Sequence, residues 1–385
     1  MDSKLGANNK VADIEVVIDD DVAMSKNEQN NKKIEVVGIY DQFVSTTLAN
    51  FHAGYFRISL GLSAQVWLWK TLVQFTKDSH DHGLHPVLMM LPSTASTLLW
   101  SLALVVLITL SILYALRCLH HFDKVKEEYV HHIGVNYLFA PWMSCLLLLQ
   151  TSPILVVPSG TFYQQITWWM LVAPIVLLDI KMYGQWFIKG KARVLAKVAN
   201  PASQLSVIAN FIAAKASFFM GWSEIALCFF AMGVAHYLVL FVTLYQRHPG
   251  SNGVSPKLRP VFSLFVATPS MASLAWSTIT GSFDITSKMF FFLSMFLFIS
   301  LVCRPTLFKK SMRKFSVAWW SFSFPLTLLA LASIGYAQEV KHGAAKSLAL
   351  SLSIMSMIVS LALTLFTTLK VNNLFLTSNN NKSQS

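Results

Sequence analysis

Two histidine pairs, His120-His121 and His131-His132, flank a short charged stretch and offer the plainest metal-ligating chemistry in the sequence. Membrane di-iron centres assemble several boxes of the HxxxH or HxxHH kind, and none occurs here. HExxH, a phosphate loop and a nucleophile elbow are also missing, so no catalytic residue, metal set or cofactor is expected. Cys118, Cys145, Cys228 and Cys303 lie in or at the ends of apolar runs without a CxxC pair. They read as small buried side chains rather than disulfides or zinc ligands. The remaining chemistry belongs to ionisable residues inside apolar segments, where burying a charge costs several kcal/mol. Arg57 is the clearest of these and has two readings. As a pore residue it attracts anions or obstructs the passage by its bulk; as a structural one it pairs with a buried carboxylate such as Asp179 or Glu224. Asp179 and Lys181 read as structural, and His236 as a hydrogen-bonded packing residue.

These residues are carried by segments that water does not solvate. The 385-residue chain is 54% hydrophobic and 12% charged, with a mean hydropathy of +0.53, whereas soluble domains carry about 25% charged residues. A membrane span takes roughly 17–25 mostly apolar residues. Ten such segments are predicted: Phe51–Leu72, Thr94–Leu119, Val135–Gln150, Thr161–Phe187, Pro201–Phe219, Trp222–Tyr245, Pro260–Thr280, Ile285–Val302, Phe315–Tyr336 and Ala345–Leu369. Residues 1–48 read as a cytosolic, mostly disordered leader, 49–370 as the membrane domain and 371–385 as a short cytosolic tail.

The formal charge of +12 is not a nucleic-acid signature, because the basic residues fall in short loops on one side. Lys124 and Lys126 occupy the first of these, and Lys189, Lys191, Arg193 and Lys197 the second. Arg247, Lys257 and Arg259 follow, then Arg304, Lys309, Lys310, Arg313 and Lys314. The opposite loops and adjoining span ends hold only Lys77, Lys215, Lys288, Lys341 and Lys346. That bias predicts both termini in the cytosol.

Pro141, Pro201, Pro269 and Pro325 fall in the third, fifth, seventh and ninth segments, about 60 residues apart. The period suggests five helical hairpins. Proline inside a helix frees a carbonyl, and in hydrocarbon that group must face protein or a watered cavity. The odd helices are therefore expected to be kinked around a central pore. Ser59, Ser63, Ser144, Ser206, Asn210 and Ser273 lie close to those prolines or on the first odd helix, and with Arg57 and the prolines they are the candidate pore-lining residues. Close helix packing by small residues explains the same pattern.

Several strings resemble the plant slow-type (S-type) anion channels, within the tellurite-resistance/dicarboxylate transporter superfamily. They are Tyr183-Gly-Gln-Trp186, Ala199-Asn-Pro-Ala-Ser-Gln-Leu-Ser-Val207, Ala235-His-Tyr-Leu-Val239 with Thr243-Leu-Tyr-Gln-Arg247, and Phe315-Ser-Val-Ala-Trp-Trp-Ser-Phe-Ser-Phe-Pro-Leu-Thr327. The resemblance implies an all-α membrane protein of ten helices in five hairpins, with odd helices lining a pore and even ones outside. It further implies a plasma-membrane homotrimer, set in lipid, that passes chloride and nitrate, with a phenylalanine on the ninth helix plugging each pore. The matching residue is Phe324. A phenyl ring beside a kink blocks by sterics and dewetting. Relatives usually have a small Gly where Arg57 stands, and an aromatic in the region of Cys145-Leu-Leu-Leu-Leu149. Arg57 and the short tails keep a second reading open, a non-conducting subunit in mixed trimers with longer members. A proton-coupled organic-acid carrier is the other alternative, disfavoured because the odd segments hold no Asp or Glu.

Overall fold

The computed structural model describes residues 47–78, 93–153, 162–184, 199–245, 256–309, 311 and 315–370. The predicted leader up to residue 46, the tail, Gln185, Trp186, Lys189, Lys191, Arg193, Lys197, Arg247, Lys310, Arg313 and Lys314 lie outside them.

Each predicted segment contains an α-helix: α1 (Arg57–Asp78), α2 (Ser93–His120), α4 (Phe139–Thr151), α5 (Phe162–Gly184), α6 (Gln204–Phe219), α7 (Ser223–Tyr245), α8 (Leu264–Thr280), α9 (Ile285–Val302), α11 (Trp320–Val340) and α12 (Gly343–Leu369). Two short helices, α3 (Phe122–Val130) and α10 (Thr306–Lys309), lie between them. By length and apolar content seven helices qualify as membrane spans, namely α2, α5, α7, α8, α9, α11 and α12. An eighth is added if α3 and the chain from Gly134 to Thr151, bent by 106°, count as one. The shortfall against ten has a physical cause. α4 has 13 residues, about 20 Å of helix. α1 carries Arg57, Gln65 and Lys70, while α6 carries Gln204, Asn210 and Lys215.

Consecutive helices pack in pairs, α1 with α2, α4 with α5, α6 with α7, α8 with α9 and α11 with α12. A second set of contacts closes on itself, running α1–α4–α6–α8–α11 and back to α1. These five form a ring, and their partners form an outer layer. Burial divides the same way. Of the best apolar stretch in 317–340, 89% is buried, against 22% in 285–302. Large exposed apolar side chains recur along the outer helices, such as Val105 and Ile112 on α2, Met289 and Phe296 on α9, and Ile358 and Leu365 on α12. Among the described residues the ring helices expose large apolar side chains only at their ends, Phe219 and Val340. An apolar surface of this extent is far larger than soluble monomers expose, and it lies on helices long and apolar enough to cross a membrane.

The proline expectation needs correction. Pro269 and Pro325 are interior to α8 and α11. Pro141 is the third residue of α4 and Pro201 opens a 3-10 turn before α6, where proline's missing N–H costs nothing and its fixed φ favours helix entry.

The α8–α9 connection shows how such turns are fixed. Gly281 ends α8 at φ 72°, a left-handed position open to glycine. Asp284 then caps α9: Oδ1 accepts from the Ser287 backbone N–H at 2.9 Å and hydroxyl at 3.0 Å, and Oδ2 from the Trp276 indole at 2.9 Å. Burial alone would raise this carboxyl, but the donors outweigh it and hold it below the usual range. Its stabilisation is therefore complete above the ordinary Asp pKa of about 4 and is lost as pH falls through the depressed value. Asp284→Ala is expected to cost about 1 kcal/mol at pH 7. Thermal unfolding in detergent should show that loss at neutral pH and a smaller difference from the parent in acid.

Candidate functional site

Each ring helix is entered through a 3-10 turn. The turns are Ala53–Phe56 before α1, Gly134–Leu138 before α4, Pro201–Ser203 before α6, Pro256–Ser263 before α8 and Val317–Trp319 before α11. Local sequence explains several of them. Nδ1 of His52 accepts the Gly54 N–H at 3.1 Å, and Asn200 closes a capping box on the Pro201 turn. Neighbouring turns touch around the same cycle as the helices behind them. The five amino termini thus meet at one end, and the ring helices run parallel. A helix amino terminus carries about half an elementary positive charge together with N–H groups lacking intrahelical partners. Five of them converging make an end of the bundle that favours anions without any metal.

Arg57 stands at this end and is 7% exposed. Its Nε donates to the Gly54 carbonyl at 2.8 Å and its Nη1 to Ser321 Oγ at 3.3 Å, and the guanidinium lies 4.6 Å from the centre of the Tyr137 ring. Pairing with Asp179 or Glu224 is therefore wrong. Asp179 instead accepts from Asn210 Nδ2 at 2.8 Å, and Glu224 opens α7. A guanidinium satisfied by neutral groups keeps its full charge available to an anion.

The other candidates divide by where their hydrogen bonds run. Ser59 and Ser144 meet at 3.1 Å between α1 and α4, and Ser63 bonds the Ser59 carbonyl of its own helix. Ser206 meets the Tyr183 hydroxyl at 2.9 Å and Asn210 meets Asp179, both on outer helix α5. Ser273 donates to the Ser287 carbonyl of outer helix α9 at 2.7 Å. Pro141 and Pro201 sit beside the amino-terminal turns, and Pro269 and Pro325 lie deeper. His236 is a packing residue: its ring stacks on Tyr183 and Nδ1 pairs with the Met232 carbonyl at 2.8 Å.

Phe324 is 2% exposed on α11, one residue before Pro325. Among the described residues it joins no stacked pair of rings. At about 100° per residue, Phe324 lies between two faces of α11. One carries Trp320 and Ser323 against Gly61 of α1. The other carries Ser321, whose carbonyl accepts from Ser263 on the α8 side. A Cβ at Gly61 would come within 2.9 Å of Trp320, so glycine is what lets α1 and α11 approach.

Reading the sequence missed the ring's glutamines. Gln65 joins α1 to Thr327 and Ser356, each at 2.8 Å, and Gln204 accepts from Thr268 on α8 at 3.0 Å. Gln204 Nε2 and Ser323 Oγ are buried on the ring without a partner, the state expected of groups beside water or an ion. The signal was there, since glutamine within an apolar run is costly unless it is used. Also missed was Glu128 on α3, which accepts from Arg117 of α2 at 2.6 Å and from the Ala53 N–H at 2.7 Å. It ties the first amino-terminal turn to the outer layer.

The sequence signature of the voltage-dependent anion channel family matches residues 50–368. The chain belongs to that family. S-type anion channel SLAH1 of Arabidopsis thaliana is 54% identical over 329 residues, 86% of this chain and 84% of that protein. S-type anion channel SLAH4 of the same plant is 49% identical over 355 residues, 92% of each. The guard cell S-type anion channel SLAC1 is 43% identical over 309 residues, 80% of this chain but 54% of that longer relative. Membership of the voltage-dependent anion channel family makes this a multi-pass membrane protein of a channel family, not an enzyme.

Proposed function

We propose that this chain forms a gated, passive channel for chloride and nitrate across the plasma membrane. Ten spans form five hairpins around a central conduit, with both termini cytosolic, and the subunits assemble as trimers, alone or with longer relatives. The observation that carries the reading is the closed cycle of five amino-terminal turns with Arg57 among them. Such a mouth concentrates anions from the side on which the basic loops lie. Phe324 closes the passage one turn or so deeper, beside Pro325. Ser59, Ser63 and Ser144 border the conduit, whereas Ser206, Asn210 and Ser273 serve packing against the outer layer. A proton-coupled carrier is disfavoured, because among the described residues no carboxylate is buried on a ring helix.

Heterologous expression with ion substitution tests this. Current should reverse at the anion equilibrium potential and ignore an imposed proton gradient; current that follows the proton gradient contradicts it. Arg57 separates conduction from a modulatory subunit. A unit charge about 4 Å from an ion contributes about 1 kcal/mol in water. Arg57→Gln should therefore lower anion current roughly five-fold when measured in the Phe324→Ala background. The hydrogen bonds of Arg57 to the Ala53–Phe56 turn and to α11 favour the obstructing reading, in which the guanidinium blocks the mouth. A rise in current with Arg57→Gln would select it.

A further inference from the structure

The end of the bundle away from the amino-terminal turns holds a separate cavity of about 700 Å³. It exists because α4 stops early. α4 ends at Thr151 after 13 residues, while α1 runs 22, so the ring loses one member before it reaches that end. α1 turns Trp67, Lys70 and Gln74 into the gap, α6 turns Lys215, and outer helix α5 closes the side with Tyr163 and Trp168. Neither α8 nor α11 contributes, so the cavity lies off the axis of the ring.

Its chemistry is that of a receptor for an anion with an apolar body. Lys215 is 8% exposed, with Nζ 3.6 Å from the Trp67 ring centre and 3.4 Å from Gln150 Oε1. Lys70 adds a second cation, and no described Asp or Glu lines the space. Two N–H donors there are buried without a partner, Trp168 Nε1 and Gln150 Nε2, and Trp168 is 2% exposed. Two ammonium groups and orphaned donors call for a carboxylate. Aromatic walls and a volume far above that of a halide call for a hydrophobic remainder.

We propose that this cavity binds a small organic carboxylate with an apolar or aromatic body, at a site distinct from the conduit. The proposal goes beyond the channel reading and does not need it, since binding is measured without current.

The test is calorimetric titration of the purified full chain in lipid nanodiscs with benzoate, then acetate, at fixed chloride. Benzoate should bind saturably and at least ten-fold more tightly than acetate. Lys215→Gln should weaken it ten-fold or more. Gln150→Glu should do the same while preserving the fold, because the new carboxylate pairs with Lys215 and occupies the site; an unchanged melting temperature verifies this. Three results each overturn the proposal: no saturable benzoate binding, equal affinity for acetate, or parent-like binding in a folded Gln150→Glu variant.

Discussion

Phe324→Ala is expected to raise anion current ten-fold or more in cells that express the chain at unchanged surface density. A phenyl ring offers no hydrogen bond to replace the hydration of an ion, so it blocks by size and by excluding water. Each 1.4 kcal/mol removed from a barrier is about ten-fold in rate, and losing the ring removes both the obstruction and the dewetting. The bundle should survive, because among the described residues no stacked ring pair depends on Phe324, and a ring that borders a passage gives up less packing than the roughly 3–5 kcal/mol of a Phe→Ala change in a fully packed core. Phe324→Leu should give an intermediate current. Unaltered current in Phe324→Ala at normal surface density would remove the gate assignment.

Glu128→Ala is expected to destabilise the protein by about 3–5 kcal/mol, the cost of stranding one member of a buried ion pair. Arg117 and Glu128 have side-chain exposures of only 6% and 9%, and Glu128 also holds the Ala53 N–H. Its loss frees the turn from which α1 starts as well as the guanidinium. Surface expression and the detergent melting temperature should both collapse. The double variant Arg117→Leu with Glu128→Leu should recover much of the loss, since two apolar groups need no pairing in this setting. A Glu128→Ala protein as stable as the parent would show that α1 is anchored otherwise.

Hydropathy made the helices legible, because outer faces must be apolar for lipid and every such face left a continuous run. All five ring segments were legible as apolar runs, although α1, α4 and α6 fall short of a full span because helices buried in protein can be short or carry Gln65, Gln204 and Asn210. The proline spacing led to the ring helices for partly the wrong reason. Of the four spaced prolines, Pro141 and Pro201 start helices and Pro269 and Pro325 lie inside them, while Pro174 lies inside the outer helix α5 and breaks the odd-only pattern. The cycle of 3-10 turns was legible only in part: His52 and the Asn200–Pro201 pair mark two of the helix starts, but the contacts that close the turns into a cycle join residues far apart in sequence. Arg57 was recognised as costly, yet its side-chain partner Ser321 lies 264 residues away and is neutral. A search for a carboxylate therefore could not find it. Phe324 looked like any core phenylalanine until the string around it resembled a family; in the structure it is buried on α11 between the faces turned to α1 and α8.

The most direct test uses a cysteine one turn beyond the ring of Phe324. Leu328 is fully buried and shares the Phe324 face of α11 at i+4. In the Phe324→Ala background, Leu328→Cys should react with a small anionic thiosulfonate reagent and lose its current, while Ser351→Cys on the exposed face of α12 should keep it. Persistent current in the first variant with block in the second would put the water-filled path outside the ring and contradict the account.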